Sequence, residues 1–281
     1  MTDTAIAEPS PPPAHRAAGR SVGDRIRFVL RGIGQTLITA GLVVLLFVVY
    51  EVWITNLFAD REQSHVADTF KKEIVDGKDP LLPLPGSKDP TIPLGDGIAV
   101  LYIPRLGKDF HFAIVQGSVV PTDGQLEKGP AHYRDTQLPG QVGNFAMAGH
   151  RVGKGEPFLN LDQLRAGDSV IVETGSYWYV YRVKGQQHGL TKKDDDGIAG
   201  RQIVSPTDGN VLLPVPNHQG AKPTEALLTM TTCHPKYSAN KRMIIHAALD
   251  SSATVKVAAQ SGNAVLTMPD SIKALFSAVS T

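Results

Sequence analysis

Between Ile33 and Ile54 the chain is apolar except for Gln35, Thr36, Thr39 and Glu51 near the ends. About 20 such residues in a row carry a helix across a bilayer. A run like this has three folded fates: a membrane span, the buried helix of a globular core, or the apolar part of a cleaved export signal. The apolar part of a signal is usually roughly 7 to 15 residues, shorter than this stretch. Residues 33–54 therefore read as an uncleaved transmembrane anchor.

Arg16, Arg20, Arg25, Arg27 and Arg31 precede the anchor among Pro, Ala and Ser, whereas Asp60, Arg61 and Glu62 follow it. Residues 1–32 are too poor in apolar side chains to fold alone and read as a basic cytoplasmic tail. The positive-inside bias places the N-terminus in the cytoplasm and residues from about 59 onward outside, so the expected location is a single-pass cell-membrane protein with an extracytoplasmic domain. The net charge of +1 hides this separation, since the basic excess lies in the tail. Nucleic acid is not an expected partner. A chain with one cysteine forms no internal disulfide, and a lone exported thiol points to a reactive site.

The rest divides by composition. Residues 55–96 read as a short amphipathic helix over 59–76, with Val66, Phe70 and Ile74 on one face, followed by an extended arm rich in Pro between Gly77 and Gly97. Residues 97–252 carry short apolar or alternating runs between Gly, Pro and Asp turns: 98–103, 110–115, 144–148, 169–173, 177–183, 226–232 and 243–249. That pattern predicts a mainly β fold, a barrel or a sandwich. A brief helix is expected at Pro157 to Leu164, and Tyr177, Trp178, Tyr179 and Tyr181 are expected to cover barrel surface. A long surface excursion runs from Lys192 to Pro223. Its Asp194, Asp195 and Asp196 lack calcium-loop spacing and read as a solvated turn, so no metal and no cofactor is expected. Residues 253–281 read as a C-terminal tail in which Asp270 caps a short helix with Ile272, Leu275, Phe276 and Val279 on one face.

Cys233 ends one apolar run and Arg242 opens the next, with His234-Pro-Lys-Tyr-Ser-Ala-Asn-Lys between them; Gly149-His150-Arg151 ends another run. A thiol at the end of one strand and a guanidinium at the start of the next share a rim when the turn folds back. Together with His150 they make a nucleophile, a proton-transfer group and an oxyanion stabiliser, the parts of a cysteine acyltransferase. Three other histidines compete with His150. His234 adjoins Cys233 and faces the opposite side of a continuing strand, His246 lies about 13 Å beyond Arg242 along a strand, and His188 sits in a Gly-bounded segment with no strand to bring it near.

The segment Thr229-Met-Thr-Thr-Cys233-His-Pro-Lys-Tyr-Ser, followed by Arg242-Met-Ile-Ile-His, resembles the active-site signature of sortases, membrane-anchored transpeptidases of Gram-positive cell surfaces. Met230 stands where the family pattern Thr-Leu-x-Thr-Cys has leucine, an exchange that keeps an apolar position. The Cys-His-Pro-Lys-Tyr continuation, Val204-Ser-Pro-Thr-Asp and Leu213-Pro-Val-Pro look like class E sortases of actinobacteria. The resemblance implies an eight-stranded sortase-type β-barrel with short helices behind the transmembrane helix. It also implies cleavage of a Thr-Gly bond in the sorting signal of a secreted protein, with transfer through a Cys233 thioester to an amine.

On that resemblance Cys233 is the nucleophile, His150 the general acid and base, and Arg242 the stabiliser of substrate and oxyanion. Thr232 and Thr231 are strand formers that also serve as substrate contacts. The second residue of the signal stays open between Leu-Ala-x-Thr-Gly and Leu-Pro-x-Thr-Gly. The expected acceptor is a peptidoglycan-precursor amine, with a pilin lysine as the alternative. An L,D-transpeptidase would carry its cysteine in a Ser-x-Gly-Cys context, which is absent; a plain cysteine peptidase would use water, and a tethered scaffold would tolerate loss of Cys233.

Overall fold

The structure, a computed structural model, describes residues 22–50, 55–82, 92–153, 155–257 and 267–280. The chain forms two compact units, Met1–Val49 and Tyr50–Thr281. In the first, helix α1 spans Val22–Val49. Its stretch Arg25–Val49 has a mean hydropathy of 2.2 and is long and apolar enough to cross a membrane. Thr36 and Thr39 donate their hydroxyls to the Gly32 and Gln35 carbonyls, which lets them sit in an apolar helix without unmet hydrogen bonds. The helix starts earlier than the apolar run, because arginine is a good helix former and Arg25, Arg27 and Arg31 extend it toward the N-terminus. Residues 1–21 of the expected tail and 51–54 of the expected anchor lie outside the described residues, as do 83–91 of the proline-rich arm.

The second unit contains helices α2 (Thr55–Val75), α3 (Asp123–Leu126) and α4 (Asp270–Ser277). Its strands are β1 (Gly97–Tyr102), β2 (His111–Gln116), β3 (Ala131–His132), β4 (Gly143–Ala148), β5 (Ser169–Glu173), β6 (Tyr177–Val183), β7 (Arg201–Val204), β8 (Ala226–His234), β9 (Lys241–Leu249) and β10 (Val255–Lys256). They order as β10-β6-β5-β1-β2-β3-β4-β8-β9-β7, and an added β6–β9 pairing closes eight of them into a barrel, with β10 and β7 as flanking strands. The β2–β3 and β4–β8 pairs are parallel; the others are antiparallel.

Alternation along each strand sorts the side chains. Phe145 and Met147 of β4, Val170 and Val172 of β5, Leu228 and Met230 of β8, and Met243, Ile245 and Ala247 of β9 fill the interior. The intervening residues face outward, where two helices cover them. Val66 of α2 packs on Ala113, Val115 and Ala131, and the Gln63 amide exchanges hydrogen bonds with the Ala113 backbone. Ile272 of α4 is fully buried against Ile171, Trp178 and Val180. Burying such a side chain contributes about 1.5 to 3 kcal/mol, and it is this contact that docks the C-terminal helix on the barrel.

Several expectations change. The helix cap position is Pro269, and Asp270 is the first helical residue, paired with Lys273. Trp178 and Tyr181 are buried, not surface cover: Trp178 lies beneath α4, and Tyr181 sits in the interior and accepts from the Gly140 N–H at 2.7 Å. The 157–164 segment is a set of turns with a single 3-10 turn at Leu161–Gln163, since Asn160 leaves the helical region. The excursion from Lys192 contains β7. Its three aspartates accept hydrogen bonds from Gly185 N–H, His188 and Lys184 respectively, which ties the turn down. Residues 258–266 of the C-terminal segment lie outside the described residues.

Candidate active site

Two ladders meet at Cys233. The parallel β4–β8 register runs from Gly143↔Ala226 to Ala148↔Thr231. His150 lies two residues beyond Ala148, as Cys233 lies two beyond Thr231. The antiparallel β8–β9 register pairs Cys233 directly with Arg242. Cys233 is thus paired with Arg242 at the roughly 5 Å spacing of adjacent strands, and the chain carrying His150 leaves β4, the other neighbour of β8, beside Thr231 and Thr232. All three share the outward parity of their strands, and all three are half-buried.

Local contacts hold the segment after β4. The Gly149 N–H donates to the Thr231 carbonyl at 3.1 Å, and the Phe158 N–H donates to the His150 carbonyl at 3.0 Å. An added Cβ at Gly149 would lie 2.5 Å from the Phe158 ring, so only glycine lets this buried ring approach the backbone beside His150. Thr232 is buried and donates its hydroxyl to the Gly149 carbonyl at 2.8 Å, which fastens β8 to the same segment. Its hydroxyl proton is therefore committed within the fold.

Arg242 Nη1 donates to the carbonyls of Ala239 at 2.9 Å and Lys241 at 3.1 Å. Among the described residues these are the guanidinium's hydrogen bonds, so Nε–H and Nη2–H remain as donors. The β8–β9 connection opens with a cis His234–Pro235 bond and takes Tyr237 through the left-handed region at φ 64. Tyr237 in this turn is 86% exposed.

Two residues at this site had no role assigned from the sequence. Tyr133 follows the two-residue strand β3, and its hydroxyl lies 2.8 Å from Thr231 Oγ1. Burial pushes this phenol up; the Thr231 bond and the Arg242 charge pull it down, and the Cys233 charge raises it again. Arg151 Nη1 donates to the Cys233 carbonyl at 3.3 Å and to His234 Nδ1 at 2.9 Å. Both residues reach the site across strands that are neighbours in the sheet but far apart in sequence, so no local pattern assigned them a role.

The other histidines sit elsewhere. His246 is fully buried: Gln202 lies 2.8 Å from its Nε2, and its Nδ1 lies 2.8 Å from Thr229 Oγ1, which donates to Asn144 Oδ1. Burial, aided by Lys184, lowers its pKa to about 3. His188 pairs with Asp195 on the exposed excursion. No cluster of three His, Cys, Asp or Glu with metal-binding geometry occurs among the described residues.

The sortase domain family matches residues 101–250. The chain is 34% identical over 221 residues to sortase SrtE1 of Streptomyces coelicolor, covering 76% of this chain and 55% of that protein. It is 31% identical over 227 residues to SrtE2 of the same organism, covering 76% and 79%. The match thus spans about half the length of SrtE1. Among solved structures, the SrtF sortase from Corynebacterium diphtheriae is 37% identical with a TM-score of 0.55, covering 66% of this chain and 98% of that one. The family match runs from within the first barrel strand to just past β9, and so takes in every strand that closes the barrel and the rim where Cys233 meets Arg242: the chain belongs to the sortase family.

Proposed function

We propose that this protein is a membrane-anchored cysteine transpeptidase. It cleaves the Thr-Gly bond of a Leu-Ala-x-Thr-Gly or Leu-Pro-x-Thr-Gly sorting signal and passes the acyl group to a peptidoglycan-precursor amine. The observation that carries this reading is the double register at Cys233, with the His150 segment on one side and Arg242 on the other.

In the first half-reaction the Cys233 thiolate attacks the threonine carbonyl carbon. A C–S bond forms and the carbonyl oxygen takes up negative charge, which the Arg242 N–H groups meet; Arg242 suits this task because its fork donates only and stays charged. The C–N bond then breaks, and His150 in its imidazolium form gives its proton to the departing glycine amine, leaving a thioester and a neutral imidazole. In the second half-reaction the acceptor amine attacks the thioester, His150 takes its proton, and the thiolate leaves. The cycle returns both groups to their starting forms with no redox change.

The anchor reading rests on α1, whose apolar stretch is long enough to span. The arginines at its start support an orientation with the N-terminus in the cytoplasm and the catalytic domain outside. A membrane-held enzyme facing outward meets secreted proteins as they emerge, which fits a substrate carrying a C-terminal signal.

The test is product analysis by mass spectrometry. The full chain in detergent micelles is incubated with both signal peptides, with no amine, with a diaminopimelate-type amine, or with a lysine peptide. Peptide joined to the diaminopimelate-type amine supports the reading, and joining only to the lysine peptide shifts it to pilin polymerisation. Hydrolysis alone, undiminished by added amine, would make the protein a peptidase.

A further inference from the structure

Arg151 follows His150 directly, yet its side chain is only 3% exposed and turns back across the end of β8. Nη1 contacts the Cys233 carbonyl and His234 Nδ1, and Nη2 lies 3.2 Å from Asp162 Oδ1. A guanidinium donates five hydrogens and accepts none. His234 Nδ1 must therefore present its lone pair, which places the ring proton on Nε2. Donor chemistry fixes the tautomer here.

The surroundings are poor ones for a buried cation. Asp162 is 44% exposed and lies 3.8 Å from Lys236 Nζ as well. Arg201 donates to the Asp162 and Leu164 carbonyls. Burial pushes its guanidinium down, Asp162 raises it, and the Arg151 charge lowers it again. Arg151 thus shares its carboxylate with Lys236 and has a second guanidinium nearby, an arrangement that packed apolar side chains often match or exceed in stability. What only a charged fork at position 151 supplies is hydrogen bonding to two consecutive residues, Cys233 and His234.

We propose that Arg151 is a positioning residue for the nucleophile. Its guanidinium holds the peptide unit after Cys233, and with it the direction of the thiol, against the backbone segment that carries His150. One side chain thereby ties the two reacting residues together, although they are 83 positions apart in sequence. The proposal rests on the transpeptidase reading, in which Cys233 and His150 are the reacting pair. A misplacement of about 1 Å in such a pair costs on the order of 10²-fold in rate.

The test uses the full chain in detergent micelles with 15N-labelled histidine, as wild type, Arg151→Met and Arg151→Lys. Wild type is expected to show His234 as the Nε2–H tautomer. In Arg151→Met the single-tautomer signal is lost, and acylation of Cys233 by a saturating signal peptide slows about 10²-fold while KM stays within about twofold. Arg151→Lys, which keeps one charged donor, recovers part of the rate. A folded Arg151→Met that acylates within about threefold of wild type, or loses only in KM, overturns the proposal, as does an Nδ1–H tautomer in the wild type. If Arg151→Met does not fold, Asp162→Asn frees the clamp at its half-exposed end; a slower rate at unchanged KM supports the proposal, and an unchanged rate and tautomer overturn it. A wild type that forms no adduct contradicts the transpeptidase reading and takes this proposal with it, whereas normal wild-type acylation beside an unaffected Arg151→Met contradicts the proposal alone.

Discussion

Cys233 and Arg242 face each other as direct partners across the β8–β9 ladder. Direct partners in an antiparallel pair place their side chains on the same face about 5 Å apart, so the thiol and the guanidinium are held by backbone hydrogen bonding and not by a flexible loop. The turn between them adds to this hold, because Arg242 Nη1 bonds the Ala239 and Lys241 carbonyls. A site built on paired strands needs little rearrangement to stabilise an oxyanion.

Arg242→Lys is expected to lose most of the activity. A lysine keeps the charge but has one nitrogen, which cannot bond the turn carbonyls and the oxyanion in the same geometry. Removing an oxyanion donor costs roughly 10²- to 10³-fold in kcat, and steady-state kinetics on a signal peptide should show that loss with KM little changed. Activity within about threefold of wild type would remove Arg242 from the oxyanion role.

Gly149→Ala tests how His150 is held. The new methyl would meet the Phe158 ring at 2.5 Å, and overpacking of this kind costs about 1 to 3 kcal/mol. Thermal unfolding should shift downward and acylation should slow, because Phe158 also bonds the His150 carbonyl. Phe158→Leu should restore part of the stability lost in Gly149→Ala. Strictly additive losses in the double variant would show that the two positions do not clash.

Acid should destabilise the barrel through two buried histidines. Burial lowers the His132 pKa to about 4 and the His246 pKa to about 3. The ring nitrogens of His132 lie 3.0 Å from the Gln137 carbonyl oxygen and 2.9 Å from Gln116 Oε1. The unfolded chain takes up protons on both rings near pH 6.5 while the native state does not. Stability is then fully present above about pH 6.5 and falls below it by about 1.4 kcal/mol per pH unit for each ring. The fall continues down to about pH 4 for His132 and about pH 3 for His246. Unfolding midpoints that stay level between pH 7 and pH 5 would contradict this.

The parts of the site that could be read from sequence are those whose signal is local. Cys233 and Arg242 stand at the ends of apolar runs long enough to show their period, and the turn between them implies an antiparallel pair. The helix carrying Val66 and Phe70 declared itself by four-residue spacing. Strand β3 has only two residues and β7 only four, at mixed exposure, too little for alternation to emerge. Tyr133 and Arg151 depend on the parallel β4–β8 and β2–β3 neighbours, which nothing in the intervening sequence encodes. Tyr181 and Trp178 looked alike in an aromatic strand, but opposite parity sends one to the interior and the other beneath α4.

The most direct measurement is intact-protein mass spectrometry of the full chain after brief incubation with a signal peptide, followed by peptide mapping of the adduct. The expected result is an acyl adduct on Cys233 that a nucleophilic amine discharges, absent in Cys233→Ala and slowed by about 10²-fold or more in His150→Ala. An adduct on another residue, or amine-linked product from Cys233→Ala, would contradict it.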